Sequence, residues 1–262
     1  MKVCISDQPP SRLCAWLLTV IAVSACESWD PPRREFSTQN LSNGLVAYYP
    51  FNGNPEDVSG NNFHGAFGRE ARTGPDRSQK ANAALWLDGI DDSFEVADRA
   101  ALRPPALSIS LWICPRSLTS TSHIYYKASY IDNQNQMFSA KLRPLTGSGY
   151  DLIADVRQDG FCDRTEAYTE VKYSTSTPLA MNQWHHLTTV FSGKSGKVYL
   201  DGVLVRSLDS LPDAPIDNCP GSDLHFGVAH AGDVNAFNGG LDEIRIYNRA
   251  LSEAEIQALM RL

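Results

Sequence analysis

Residues Phe237 to Leu262 read FNGGLDEIRIYNRALSEAEIQALMRL. From Gly240 to Tyr247 apolar and polar residues alternate with period two, which predicts a half-buried β-strand. The alternation puts Leu241, Glu243, Arg245 and Tyr247 on one face and Asp242, Ile244 and Ile246 on the other. Asp242 then shares the apolar face, where a carboxylate needs a cation or a set of backbone N–H groups as its partner. The strand runs into a helix with a marked start. Ser252 with Glu255 three residues on makes a capping box, and Leu251 with Ile256 makes a hydrophobic staple. Ile256, Leu259 and Met260 give the helix one short apolar stripe.

Upstream, strand candidates arrive steadily, beginning at Leu45 to Phe51. They continue at Ala83 to Leu87, Ser93 to Val96, Leu107 to Cys114, His123 to Lys127, Gln136 to Leu142 and Tyr150 to Arg157. Ala167 to Tyr173, Trp184 to Phe191, Lys197 to Leu200, Val203 to Leu208 and Leu224 to Val228 follow. Gly, Asn, Asp and Pro punctuate them, and Asp201-Gly202 between two alternating runs is a hairpin signal. No helical period of useful length precedes Ser252. The fold class is therefore all-β, a two-sheet antiparallel sandwich or jelly roll with one short C-terminal helix.

The chain has 262 residues, 42% hydrophobic and 20% charged, with a formal net charge of -7. That composition suits one large β domain and gives no electrostatic case for nucleic acid or an anionic membrane surface. Residues 1–26 stand apart. Lys2 and Arg12 precede the apolar run Leu13 to Val23, and Val23-Ser24-Ala25-Cys26 puts small residues before a cysteine. This resembles the lipobox of a bacterial lipoprotein, with Cys26 as the lipidation site and the protein exported to the outer membrane or cell surface. An ordinary cleaved signal peptide and an uncleaved anchor are the alternatives. Residues 27–43, with a Pro pair and mixed charges, read as a flexible tether, leaving 44–262 as the domain. Of the six cysteines, Cys114, Cys162 and Cys219 remain in that domain. Cys114 ends an apolar run, whereas Cys162 and Cys219 lie among turn formers, so a Cys162–Cys219 disulfide is expected.

Asn52 to Gly65 is dense in turn formers and oxygen-bearing side chains, chemistry that suits either a solvated turn or a Ca²⁺ loop without EF-hand spacing. Its neighbourhood also carries a resemblance. Gly44-Leu45-Val46-Ala47-Tyr48-Tyr49-Pro50-Phe51-Asn52-Gly53 with Asp57-Val58-Ser59-Gly60-Asn61 looks like the opening of laminin-G-like (concanavalin A-like, pentraxin-like) jelly-roll modules. Ala84 to Asp92, Leu107 to Ile113, Trp184-His185-His186-Leu187, Val198 to Gly202 and Phe237 to Ile256 match in the same order. The resemblance implies two curved antiparallel sheets that bind a polysaccharide, a glycoprotein or a surface protein without chemistry. It also implies a structural Ca²⁺ where the first strand's loop meets the last strand, held by Asp57, Asn62 and Asp242. The alternative is that Asp242 accepts backbone N–H bonds and Asp57 forms an Asx-turn.

Catalytic signatures are sparse. The retaining glucanases of this fold carry Glu-x-Asp-x-x-Glu on one strand, and no such run exists here; Asp91, Asp92 and Glu95 come nearest. His185 and His186 are adjacent in a strand and face opposite ways, so they cannot share a metal. Ser192 to Lys197 has the wrong spacing for a phosphate loop, and no Gly-x-Ser-x-Gly elbow appears. Tyr125, Tyr126 and Tyr130, close to Asn133, Gln134 and Asn135, form the candidate sugar-stacking patch. The reading is a non-catalytic recognition module, against which stand a glycan hydrolase or lyase on the same fold and a structural adhesin that binds only protein.

Overall fold

The computed structural model describes residues 41–129, 136–162, 168–230 and 233–262. Cys26, Tyr130, Asn133, Gln134 and Asn135 lie outside the described residues, as do residues 1–40. The strands begin with β1 (Leu45–Tyr49), β2 (Ala66–Gly68), β3 (Arg72–Gly74), β4 (Ala84–Asp88) and β5 (Ser93–Val96). Longer ones follow: β6 (Ala106–Pro115), β7 (Ser122–Ser129), β8 (Gln136–Pro144), β9 (Tyr150–Arg157) and β10 (Tyr168–Thr175). The last are β11 (His185–Ser192), β12 (Ser195–Leu200), β13 (Val203–Leu208), β14 (Gly221–Phe226) and β15 (Asn238–Tyr247), before helix α1 (Glu253–Met260).

The strands form two antiparallel sheets. The eight-stranded sheet runs β13-β12-β11-β6-β15-β4-β3 with β1 also paired to β15, and the seven-stranded sheet runs β10-β9-β8-β7-β14-β5-β2. Leu107, Ile109, Leu111, Ile113, Leu187 and Phe191 of the first sheet meet Phe94, Phe138, Leu152, Val156 and Phe226 of the second in one core. This is the sandwich that the alternating pattern predicts, since one apolar face per sheet is buried only by packing against the other. The three-residue strands β2 and β3 are too short to leave a period in the sequence. Cys162 and Cys219 are disulfide-bonded, and Cys114 is a buried free thiol.

Strand β15 departs from the simple alternation. Along its whole length it pairs with β6, but its other side pairs first with β4 through Asn238 to Leu241 and then with β1 through Ile244 to Tyr247. At the change of partner the register against β6 slips between Asp242 and Arg245, and Glu243 takes the left-handed conformation at φ 53°. A β-bulge resets which face each later residue occupies. Leu241 lies opposite Ile113 and Ile246 opposite Ile109, facing the core, whereas Asp242 lies opposite Trp112 and Arg245 opposite Ser110, on the outer face. The expectation that Asp242 shares a face with Ile244 and Ile246 is thus corrected.

The helix closes the outer face beside Tyr247. Ser252 and Glu255 form both halves of the capping box, and Ile256 and Leu259 pack with Val190, Tyr199, Tyr247 and Leu251. Leu41 joins this cluster. The bulge generates a test. Glu243→Asn keeps a residue that tolerates positive φ, whereas Glu243→Val does not, so the valine variant should be less stable than the asparagine variant by about 1–2 kcal/mol in urea denaturation. Equal stabilities would show that the left-handed backbone is not required.

Candidate functional site

Of the three residues expected to hold calcium, Asp57 and Asp242 are each engaged by donors of the protein itself. Asp57 Oδ1 accepts hydrogen bonds from the backbone N–H of Tyr48 (2.9 Å) and Ser59 (2.8 Å), and Oδ2 accepts from Phe63 N (2.9 Å) and Ser59 Oγ (2.9 Å). Burial alone would raise its pKa, but these bonds outweigh it and hold the carboxyl below the usual range. Asp57 is therefore the anion that organises its own loop. Asn62 is exposed at a left-handed position, φ 58°. Asp242 Oδ1 accepts from Glu243 N (2.8 Å), and its Oδ2 stands 3.3 Å from Arg77 Nη1. Burial, with the charge of Glu243, pushes Asp242 up to about 7 against the pull of Arg77. Both carboxylates are thus held by N–H, hydroxyl or guanidinium donors.

The tyrosine patch divides. Tyr125 is fully buried in the core with its hydroxyl 2.6 Å from Thr189 Oγ1, so it cannot stack on a ligand. Tyr126 faces the other way, on the outer face of the seven-stranded sheet, where its ring meets His123 at 5.6 Å. Period two forces one of two adjacent tyrosines inward.

On that same outer face lies a cleft of about 280 Å³ lined by Arg69, Asp91, Ser93, Glu95, Val228 and His230. Its floor comes from β5, whose alternation sends Phe94 and Val96 into the core and Ser93 and Glu95 outward. Ser93 Oγ donates to Glu95 Oε1 (2.8 Å), and His225 Nδ1, on the paired strand β14, stands 3.6 Å from the same oxygen. Gly68 opposes Ser93, and a Cβ there would collide with the serine hydroxyl. The walls are turns. Arg69 sits at φ 59° after β2, Asp91 lies between β4 and β5, and Val228 and His230 follow β14. Asp233 fixes the last of these turns by accepting from Ala229 N (2.8 Å), Asn235 N (2.9 Å) and His123 Nδ1 (2.7 Å). Burial would raise the Asp233 pKa, but the His123 bond and the two N–H donors hold it far below the carboxylate range.

Asp91, on the cleft wall, has a carboxylate oxygen within 4.8 Å of those of Asp88 and Asp92, the grouping of this kind found among the described residues. Asp92 accepts from Glu70 N and Asp88 N, and Asp88 accepts from Ile90 N, so much of this grouping also ties backbone. Burial and the charge of Asp88 raise the Asp92 pKa.

Residues 88–257, well over half of the chain, match the family model Laminin_G_3 of the concanavalin A-like lectin/glucanases superfamily. The chain belongs to the Laminin_G_3 family. The match takes in the Asp88–Asp92 turn, β5, β14 and the β15 bulge of this Laminin_G_3 domain. Comparison with curated protein sequences finds no match. Among solved structures, domain 4 of AbnA, a GH43 extracellular arabinanase from Geobacillus stearothermophilus, in complex with arabinotriose, is similar at TM-score 0.59 and 23% identity. That likeness covers 82% of this chain and 98% of the other. The botulinum neurotoxin serotype D ligand binding domain in complex with N-acetylneuraminic acid is similar at TM-score 0.59 and 17% identity, over 84% of this chain and 51% of that one. The binding domain of Paraclostridial Mosquitocidal Protein 1 gives 0.60 and 20%, over 84% and 52%. The chain thus spans about half the length of these toxin domains, and at such identities the shared property is the fold.

Asp242 generates a pH test. Its folded pKa of about 7 lies above the unfolded value, so the folded state binds the proton more tightly and stability falls as pH rises from about 4 to about 7. Asp242→Asn removes that loss. Urea denaturation across this range should show the variant gaining on the wild type as pH rises, and parallel pH profiles would contradict the assignment.

Proposed function

We propose that this domain is a non-catalytic carbohydrate-recognition module of an exported, lipid-anchored protein, with a polysaccharide or glycoprotein as its partner. The observation that carries the reading is the cleft on the seven-stranded sheet, where hydroxyl, carboxylate, guanidinium and imidazole groups converge on a rigid strand floor. These groups suit sugar hydroxyls, which both donate and accept. The arabinotriose and N-acetylneuraminic acid complexes of the structural neighbours support the ligand class. The lipid anchor rests on the sequence at Val23 to Cys26.

The groups that come nearest to a catalytic set are engaged or sealed from substrate. Asp159 and Asp217 share Arg157, whose guanidinium stands 2.9 Å from Asp159 and 3.2 Å from Asp217, and burial pushes Asp217 up to about 6. Glycosidases hold their two carboxyls about 5–9.5 Å apart with a sugar or water between them, whereas this pair is taken up by one guanidinium. Ser110 Oγ and His186 Nε2 are 2.9 Å apart, yet both side chains are sealed beneath the outer face beside Trp112. Burial depresses His186 to about 4, so it is a neutral, inaccessible imidazole.

A glycan array tests the reading, followed by Arg69→Ala, Glu95→Ala and His230→Ala. Each should weaken binding of the array ligand by about tenfold or more with the melting temperature unchanged, since a few central contacts dominate affinity. Undiminished binding in all three would place recognition elsewhere.

A further inference from the structure

The charges around the cleft are unequal. Among the described residues, Arg69 supplies its guanidinium, and that group stands 3.6 Å from Asp91 with the two side chains 62% and 51% exposed, a pair that water weakens. On the other side of the balance are Glu95 on the floor and Asp91 on one wall, with carboxylate oxygens of Asp88 and Asp92 within 4.8 Å of that of Asp91. His225, against Glu95, is held toward its neutral form by burial. The chain as a whole carries a net charge of -7, so the long-range field has the same sign.

A ligand carboxylate entering this cleft would shed water beside like charges. A neutral sugar would instead offer hydroxyl donors to Glu95 and Asp91 and acceptors to Arg69 and Ser93, satisfying groups already in place. Resting on the carbohydrate reading above, we propose that the cleft selects uncharged glycans and rejects polyanionic ones such as polyuronates and sialylated chains.

The experiment measures binding of the full chain at neutral pH to neutral arabinan, xyloglucan and mixed-linkage β-glucan, and to polygalacturonate and sialyllactose. At about 20 mM NaCl, where screening is weak, at least one neutral glycan should bind, and both anionic ligands should bind about tenfold more weakly or not at all. Replacing Asp88 and Asp91 together by Asn should narrow that gap, which a purely steric preference would not do. Anionic ligands bound as tightly as the best neutral one would overturn the charge selection and leave glycan recognition standing. No binding to any glycan would overturn both.

Discussion

Glu243, at φ 53° in the middle of β15, creates a two-for-one pairing opposite β6, and the sandwich is arranged around that irregularity. On its N-terminal side β15 binds β4, and on its C-terminal side it binds β1, so one strand joins the beginning of the domain to its end. The bulge keeps Leu241, Ile244 and Ile246 all in the core while turning Asp242, Arg245 and Tyr247 outward. Outside, Glu243 accepts from the Tyr48 hydroxyl (2.8 Å) and pairs with Arg245 (2.7 Å), whose guanidinium lies over the Tyr48 ring at 3.8 Å. Backbone conformation and side-chain contacts therefore support each other at the point where the partner strand changes.

The two outer faces that result are used differently. On the eight-stranded sheet, α1 covers Val190, Tyr199 and Tyr247, while farther along Trp86 and Trp184 meet edge to face at 5.8 Å. Gly240 lies beneath that pair, and a Cβ there would come within 2.7 Å of Trp184. On the seven-stranded sheet the outward positions of β5 and β14 are polar, and three turns rise around them to make the cleft. Rigid strands set the floor and Asp233 fixes a wall, so the recognition groups are presented with little left to order on binding.

The sandwich and the helix are legible in the sequence because they rest on repeated signals: alternation over many strands, and a capping box with a staple at Ser252 and Leu251. The bulge leaves no such mark, since neither Gly nor Pro stands at Glu243, and the face of Asp242 is misread for that reason. The Asp57 loop makes a related point, because residue types show that Asp57 can accept bonds but not that Tyr48, Ser59 and Phe63 supply them. Of the cleft, Asp91, Asp92 and Glu95 stand out as the nearest approach to an acidic grouping, and Ser93 shares their alternation. Arg69, Val228 and His230 sit on turns, where periodicity carries no information. The Tyr125–Tyr126 pair shows that one ring must face outward without showing which.

The central claim is that recognition occurs on the outer face of the seven-stranded sheet, at the cleft between β5, β14 and their turns. The most direct measurement is an NMR titration that follows backbone amides as a neutral oligosaccharide retained on a glycan array is added. The claim requires the shifted resonances to cluster at Arg69, Asp91, Ser93, Glu95 and His230. Shifts confined to the Trp86–Trp184 face of the eight-stranded sheet, with the cleft resonances unmoved, would contradict it.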